Sequence, residues 1–387
     1  MKKLSLLFIL SVMLISSAIA GEINYFTGTW AEVKAKAKAE HKYIFVDCYT
    51  DWCGWCKVMD KQTMPDAGVV GIMNDKFIAT KIDMEKGEGI SLAMKYHISG
   101  YPAFLFFDPE GQYVFQGFGY SEPKDFIKTL TDALDKSKQV SAPGYSNSLN
   151  VPYPDMLKKA YAGNGKRTYP KEEEVTAYLS KQKDLFSEAN WAVMAQFHLN
   201  AKFEKFFFDN RAKYQKLYGR FSVQEKIDNI IGSNMQKAMK EKDETKFEAA
   251  LKMIDKYVTD DAEGTKANYR ISFYKETKNW SKCVTAVNNL IKTKGDADPN
   301  YINSLSWDMY EHCTDKAALK SAIEWMKTVI AKAPQYAYLD TYAALLSVAG
   351  DKKEAEEMAA KAIEVGKQAG EKTESTEQLL KKLKETK

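Results

Sequence analysis

The chain has 387 residues, of which 45% are hydrophobic and 28% charged, with a formal charge of +4. Those proportions fit a soluble globular protein of two or three domains and exclude a disordered or fibrous chain. Lys2 and Lys3 carry part of the positive charge in a leader segment, so the rest is nearly neutral and nothing in its charge calls for nucleic acid or an anionic membrane.

Residues 1–20 read as a secretory signal peptide. Lys2-Lys3 is the basic start, Leu4 to Ile15 the apolar core, and Ala18-Ile19-Ala20 a small-x-small cleavage site. The apolar core is short for a membrane span, and no later stretch is apolar for long enough to cross a bilayer. No Cys stands at the cleavage site, which argues against a lipid anchor; an uncleaved anchor is the other reading. The mature chain is expected to begin at Gly21 and to be exported to the periplasm or beyond, in a bacterium, where disulfides persist.

From Gly21 helices and strands alternate. Thr29 is placed to cap a helix through Ala39. Tyr43–Tyr49 reads as a buried strand, and the run Val58 to Met64 as a helix stopped by Pro65. Asp66 can cap a short helix ending near Asp75. Phe77–Ile82 is a strand and Ile90–Tyr96 a helix. Ala103–Phe107 and Tyr113–Phe115 form two strands across the turn Asp108-Pro109-Glu110-Gly111. Ser121-Glu122-Pro123 opens a last helix through Leu134, with Pro in its first turn. A mixed sheet flanked by helices makes an α/β layered domain over residues 21–138.

Residues 139–155 are turn-rich, lack periodicity and are read as a linker. Beyond them, over 156–387, apolar residues recur at helical spacing and strand signals are absent, so an all-helical region is expected. Leu339 to Leu346, the turn Gly350-Asp351, then Ala355, Met358, Ala359 and Ala362 resemble a tetratricopeptide repeat, with small residues where paired helices touch. Ala322, Cys283 and Ala250 fall at successively earlier repeat positions, and the pattern is clearest over 301–366. Residues 156–240 carry no repeat signature. Their aromatics (Phe203, Phe206, Phe207, Phe208, Tyr214, Tyr218) are read as core.

Trp52-Cys53-Gly54-Trp55-Cys56-Lys57 joins the first strand to its helix. A Cys-x-x-Cys pair at such a junction can be made and broken as a disulfide. Unpaired helix amides and the helix dipole favour negative charge on the first sulfur, which lowers its pKa. The residues alone also allow a static disulfide or half of a zinc site. Zinc needs four ligands, and the chain has four His, none close to this pair in sequence, so no metal is expected.

Four features in order make the stretch from about Phe26 to Leu134 resemble thioredoxin: Val46-Asp47 in the strand before the pair, the Trp-Cys-Gly-Trp-Cys-Lys signature, Gly100-Tyr101-Pro102 before a strand, and Gly117-Phe118-Gly119 at the end of the last one. The signature resembles the secreted branch that includes the reductase domain of transmembrane thiol:disulfide interchange proteins. The resemblance implies a thioredoxin fold followed by the all-α, tetratricopeptide-like region, and a redox-active Cys53–Cys56 disulfide. It makes Cys53 the exposed nucleophile, Cys56 the resolving thiol one turn inward, and Asp47 a desolvated carboxylate that accepts the Cys56 proton. Structural pairing of Asp47 is the plainer alternative. Pro102 is expected to be cis, an ordinary trans turn being the alternative, with Tyr101 bordering the substrate groove. Trp52 and Trp55 flank the sulfurs, either as substrate contacts or as shields. Trp55 replaces the Pro usual in this dipeptide, which leaves the direction of electron flow open.

Of the five cysteines, Cys48 reads as a small buried strand residue or, less simply, a regulatory thiol pointing away from Cys53. Cys283 and Cys313 read as buried free thiols or as a structural disulfide. Two functions follow. One is a thiol-disulfide oxidoreductase acting on protein disulfides, reducing rather than oxidising, with the helical repeats gripping a protein or peptide partner. The other is a non-catalytic binding or assembly module that uses the fold as a scaffold. Peroxide reduction is set aside, because the Thr-x-x-Cys setting it uses is absent. No flavin or nicotinamide glycine fingerprint is present, so no cofactor is expected. Electrons would come from another thiol protein, for instance a membrane-bound one.

Overall fold

A computed structural model describes residues 21–98, 100–163, 167–258, 261–295 and 297–385. The leader read as a signal peptide lies outside the described residues. Contacts divide the chain into two compact units, one through Lys226 and one from Ile227.

The first unit opens with α1 (Trp30–Glu40) and β1 (Tyr43–Tyr49), then α2 (Gly54–Gln62), α3 (Ala67–Lys76), β2 (Phe77–Asp83), α4 (Glu88–Tyr96), β3 (Ala103–Phe107), β4 (Tyr113–Phe118) and α5 (Pro123–Leu134). Local chemistry sets several ends. Thr29 and Glu32 form a reciprocal capping box at α1, Asp66 accepts from the Gly68 and Val69 amides at α3, and Pro123 sits in the first turn of α5. The sheet runs β2-β1-β3-β4, with β1 parallel to β2 and antiparallel to β3, and β3 antiparallel to β4.

Strand alternation gives each face its own layer. Phe45, Phe104 and Phe106 pack with Met59 of α2, Val69, Val70 and Met73 of α3, and Phe126 and Leu130 of α5. On the opposite face Phe107 meets Trp30 of α1 at 4.8 Å and Tyr96 of α4 at 5.3 Å. Asp47 shares the Phe45 face, under α2, while Cys48 points the other way.

Residues 139–154 form no helix or strand, yet the stretch read as a linker is fastened along its length. The Gly144 amide donates to Leu217 O at 2.7 Å, the Ser146 amide to Glu188 Oε2 at 2.9 Å, and Tyr145 and Tyr153 are buried. The unit continues through α6 (Asp155–Ala160), α7 (Glu172–Leu179), α8 (Glu188–Gln196), α9 (Ala201–Asp209), α10 (Arg211–Tyr218) and the start of α11 (Arg220–Glu241). Trp191, Phe207, Tyr214 and Tyr218 stack there as a buried aromatic core, and Tyr145 meets Tyr218 at 5.1 Å. Phe203 is buried as well, while Phe206 and Phe208 are half-buried.

Every described regular element past residue 155 is a helix. The second unit holds the rest of α11 and α12 (Glu244–Tyr257), α13 (Ala262–Glu276), α14 (Trp280–Lys294), α15 (Pro299–His312), α16 (Lys316–Lys332), α17 (Tyr336–Ala349), α18 (Lys352–Gln368) and α19 (Glu374–Glu385). α17 packs on α15, α16 and α18, and Ala355, Ala359 and Ala362 of α18 are buried. Gly350 closes α17 at φ 94°, and Asp351 caps α18 by accepting from the Glu354 amide. Gly350→Ala is expected to cost about 1 kcal/mol through that left-handed backbone alone. A lower denaturant midpoint with an unchanged m value is the readout; no shift would mean that the turn relaxes freely.

Candidate active site

β1 delivers the chain into a tight turn, closed by the Cys53 amide donating to Thr50 O at 3.1 Å. Cys53 is the N-cap of α2 and its Sγ accepts from the Cys56 amide at 3.0 Å. The first-turn amides and the dipole thus face that sulfur and stabilise charge on it once the bond opens. Cys53 and Cys56 are joined by a disulfide of 2.04 Å.

The sequence placed Cys53 in the open, and the structure corrects this. Cys53 is 3% exposed and Cys56 4%. As the cap, the Cys53 sulfur turns inward over the helix start, toward the Cys56 amide, instead of outward. The groups standing in solvent are the indoles beside the sulfurs, Trp52 at 64% and Trp55 at 60% exposed.

Aromatic rings surround the pair. Trp52 meets Tyr101 edge-on at 5.7 Å, and Trp55 lies tilted on Tyr120 at 5.3 Å. The Tyr101–Pro102 peptide is cis. Pro102 O accepts from the Gly119 amide at 2.9 Å, which ties this turn to the end of β4, and the ring of Phe118 lies against Gly100. The structure therefore brings Trp52, Trp55, Tyr101 and Pro102 to one neighbourhood.

Behind the pair Asp47 is almost fully buried. Desolvation raises its pKa to about 6, although the Lys81 ammonium, 3.2 Å from Oδ2, pulls the other way. Lys81 also pairs with Asp60 of α2. Burial works against the Lys81 charge, but the two carboxylates outweigh it and hold its pKa above the usual value. Asp47 and Lys81 are register partners on parallel neighbouring strands, so the sheet makes this contact.

Lys81, Tyr120 and Arg167 were not singled out from the sequence, whereas Phe118 stands in the Gly117-Phe118-Gly119 motif. Only Lys81 had a signal, as a lone cation in an apolar strand beside the one carrying Asp47. Cys48 is free and buried, and desolvation first, then the neighbouring Asp47, pushes its thiol pKa well up. Cys283 and Cys313 are also free and buried. Among the described residues no cluster of His, Cys, Asp or Glu is arranged to hold a metal, and no helix is long and apolar enough to cross a membrane.

Residues 25–109 match the Thioredoxin-like family. Over 80 residues the chain is 38% identical to the thiol:disulfide interchange protein DsbD of Pseudoalteromonas atlantica, covering 20% of this chain and 13% of that protein. Over 131 residues it is 31% identical to protein disulfide isomerase-like 2-2 of Oryza sativa, covering 33% of this chain and 34% of that one. Among solved structures, a thioredoxin from Thermus thermophilus is 24% identical with a TM-score of 0.28, covering 30% of this chain and 90% of that one. The chain spans 13% and 34% of the length of these two curated relatives.

Proposed function

Because residues 25–109 form a thioredoxin-like domain of the thiol:disulfide interchange kind, we propose that the chain is a thiol-disulfide oxidoreductase acting on protein disulfides through Cys53 and Cys56. One observation carries the reading: a disulfide capping a helix N-terminus, with a buried carboxyl of raised pKa on the sheet face beneath that helix.

The reducing cycle runs from the dithiol. The Cys53 thiolate attacks one sulfur of the substrate disulfide; a mixed disulfide forms and the other substrate sulfur leaves as a thiolate and takes a proton. Cys56 gives its proton to the Asp47 carboxylate and its thiolate attacks Cys53 Sγ. The Cys53–Cys56 bond forms as the mixed disulfide breaks, and two electrons have passed to the substrate. A second thiol protein reverses these steps to restore the dithiol. The reducing direction is supported by the resemblance of the Trp52–Lys57 signature to interchange-protein reductase domains. An exported location is supported by the leader composition. We assign the helical region after residue 155 to holding a protein or peptide partner.

Cys56→Ser tests this. Expressed as the full chain in a bacterial host, the variant should accumulate mixed disulfides on Cys53, seen as slower bands on non-reducing gels that collapse with dithiol. A Cys53→Ser, Cys56→Ser control should show none. Equal absence of adducts from both would favour the binding module.

A further inference from the structure

Residues beyond the thioredoxin-like stretch reach the mouth of the disulfide. Arg167 follows α6 and is held locally: the Thr168 amide donates to Lys159 O at 3.1 Å. Gly163 packs so closely on Glu85 that a Cβ would stand 2.4 Å from the Glu85 carbonyl oxygen, so only glycine lets this segment approach. Arg167 Nη2 donates to Glu85 Oε1 at 3.0 Å and to the Tyr101 hydroxyl at 3.4 Å, and the Tyr169 hydroxyl meets the same guanidinium. Both members of the Arg167–Glu85 pair are largely covered, which makes the contact directional and little screened by salt. Contacts therefore run unbroken from Glu85 through Arg167 and Tyr101 to Trp52, the neighbour of Cys53. Tyr169 is 60% exposed, like Trp52, Trp55 and Phe118, leaving only Tyr301 and Val348 as large exposed apolar side chains elsewhere among the described residues.

We propose that Arg167 is a positioning residue of the redox site, holding Tyr101 and through it Trp52, and that with Tyr169 it extends the wall against which a polypeptide carrying the disulfide rests. The claim deepens the oxidoreductase reading and rests on it. The occupant is a polypeptide because the contacts that begin at Trp52 beside Cys53 run on through Tyr101 and Arg167 to the exposed Tyr169 ring, a row of side chains that an extended chain can touch at several points. The Arg167 charge is spent on Glu85, so the wall offers ring faces and does not select acidic segments.

The test uses the full chain with dithiothreitol as electron donor and two substrates, insulin and the small disulfide cystamine. Arg167→Ala should raise KM for insulin about five- to tenfold, the size of one ordinary hydrogen bond, with a smaller change in kcat. The ratio of kcat/KM for insulin to that for cystamine should fall by the same factor. Arg167→Lys should recover part of it, since an ammonium replaces the fork by a point contact. Tyr101→Phe should add little on top of Arg167→Ala, because the two share one contact. Tyr169→Ala changes only an exposed side chain, keeps the test open should Arg167→Ala misfold, and should raise the insulin KM as well. Equal loss on both substrates, or no change on either, overturns the proposal. A wild-type chain inert toward insulin overturns the oxidoreductase reading itself, and is seen before any variant is made.

Discussion

Asp47→Asn should stabilise the first unit at pH 7 by about 3 kcal/mol while slowing disulfide exchange on the order of 10–100-fold. The carboxyl pKa is about 6 in the folded chain, raised chiefly by desolvation and held down only in part by Lys81. In the unfolded chain it lies near the ordinary value of about 3.9. Between those values the native state binds more protons than the unfolded state, so stability falls as pH rises through this window. Above about pH 6 the whole penalty is present, and below about pH 4 it is gone. Asparagine carries no such penalty, and Lys81 keeps Asp60 as partner. Denaturant melts of the oxidised wild type and variant should diverge at pH 7.5 and converge at pH 3.5. The rate loss has a separate cause: with no carboxylate beneath α2, the Cys56 proton must leave by a slower route. Curves that stay parallel at both pH values would remove Asp47 from the site as an ionising group, and an unchanged rate would remove it as a base.

Lys95→Met should destabilise the first unit by about 3–5 kcal/mol, a fall in Tm on the order of 10 °C for a unit of this size. Lys95 of α4 is buried and forms an ion pair with Glu188 of α8. Its ammonium also donates to Ser146 Oγ at 3.2 Å and Ser148 O at 3.1 Å, in the turn-rich stretch between them. Burial pulls the Lys95 pKa down and Glu188 opposes it. Methionine keeps the stem but strands the Glu188 carboxylate, whose remaining partners are the Ser146 amide at 2.9 Å and the Tyr153 hydroxyl at 3.4 Å. An uncompensated buried charge is the costly state, so Lys95→Met with Glu188→Leu should regain at least half of the loss. Calorimetry of the single and double variants decides the matter. A single variant within about 1 kcal/mol of wild type would mean that water reaches Glu188 and the pair is a surface one.

The same pair shows where sequence reading stops. Lys95 falls in the helix read over Ile90–Tyr96, and Glu188 in the region read only as helical. That they neutralise each other inside one unit was not legible, and residues 139–155, turn-rich and without periodicity, read simply as a linker. The redox pair was legible because its chemistry lies within one turn: Cys53, Cys56 and the helix amides are neighbours in the chain. Asp47 could be suspected from the resemblance alone, whereas Lys81 enters only through strand register.

The amino-acid order by itself determined what short-range bonds decide. Those are the strand and helix sequence of the first unit, the caps at Thr29, Asp66 and Asp351, the Gly350 turn, and the reactive pair at the start of α2. Tertiary structure alone decided that Cys53 lies under cover, that Lys81 tunes Asp47, and that Arg167 braces Tyr101 from outside the thioredoxin-like stretch. The reason is physical. Caps and periodicity are satisfied within a few residues, while burial and ion pairing depend on which distant segments the folded chain brings together, and no local window of sequence contains that closure.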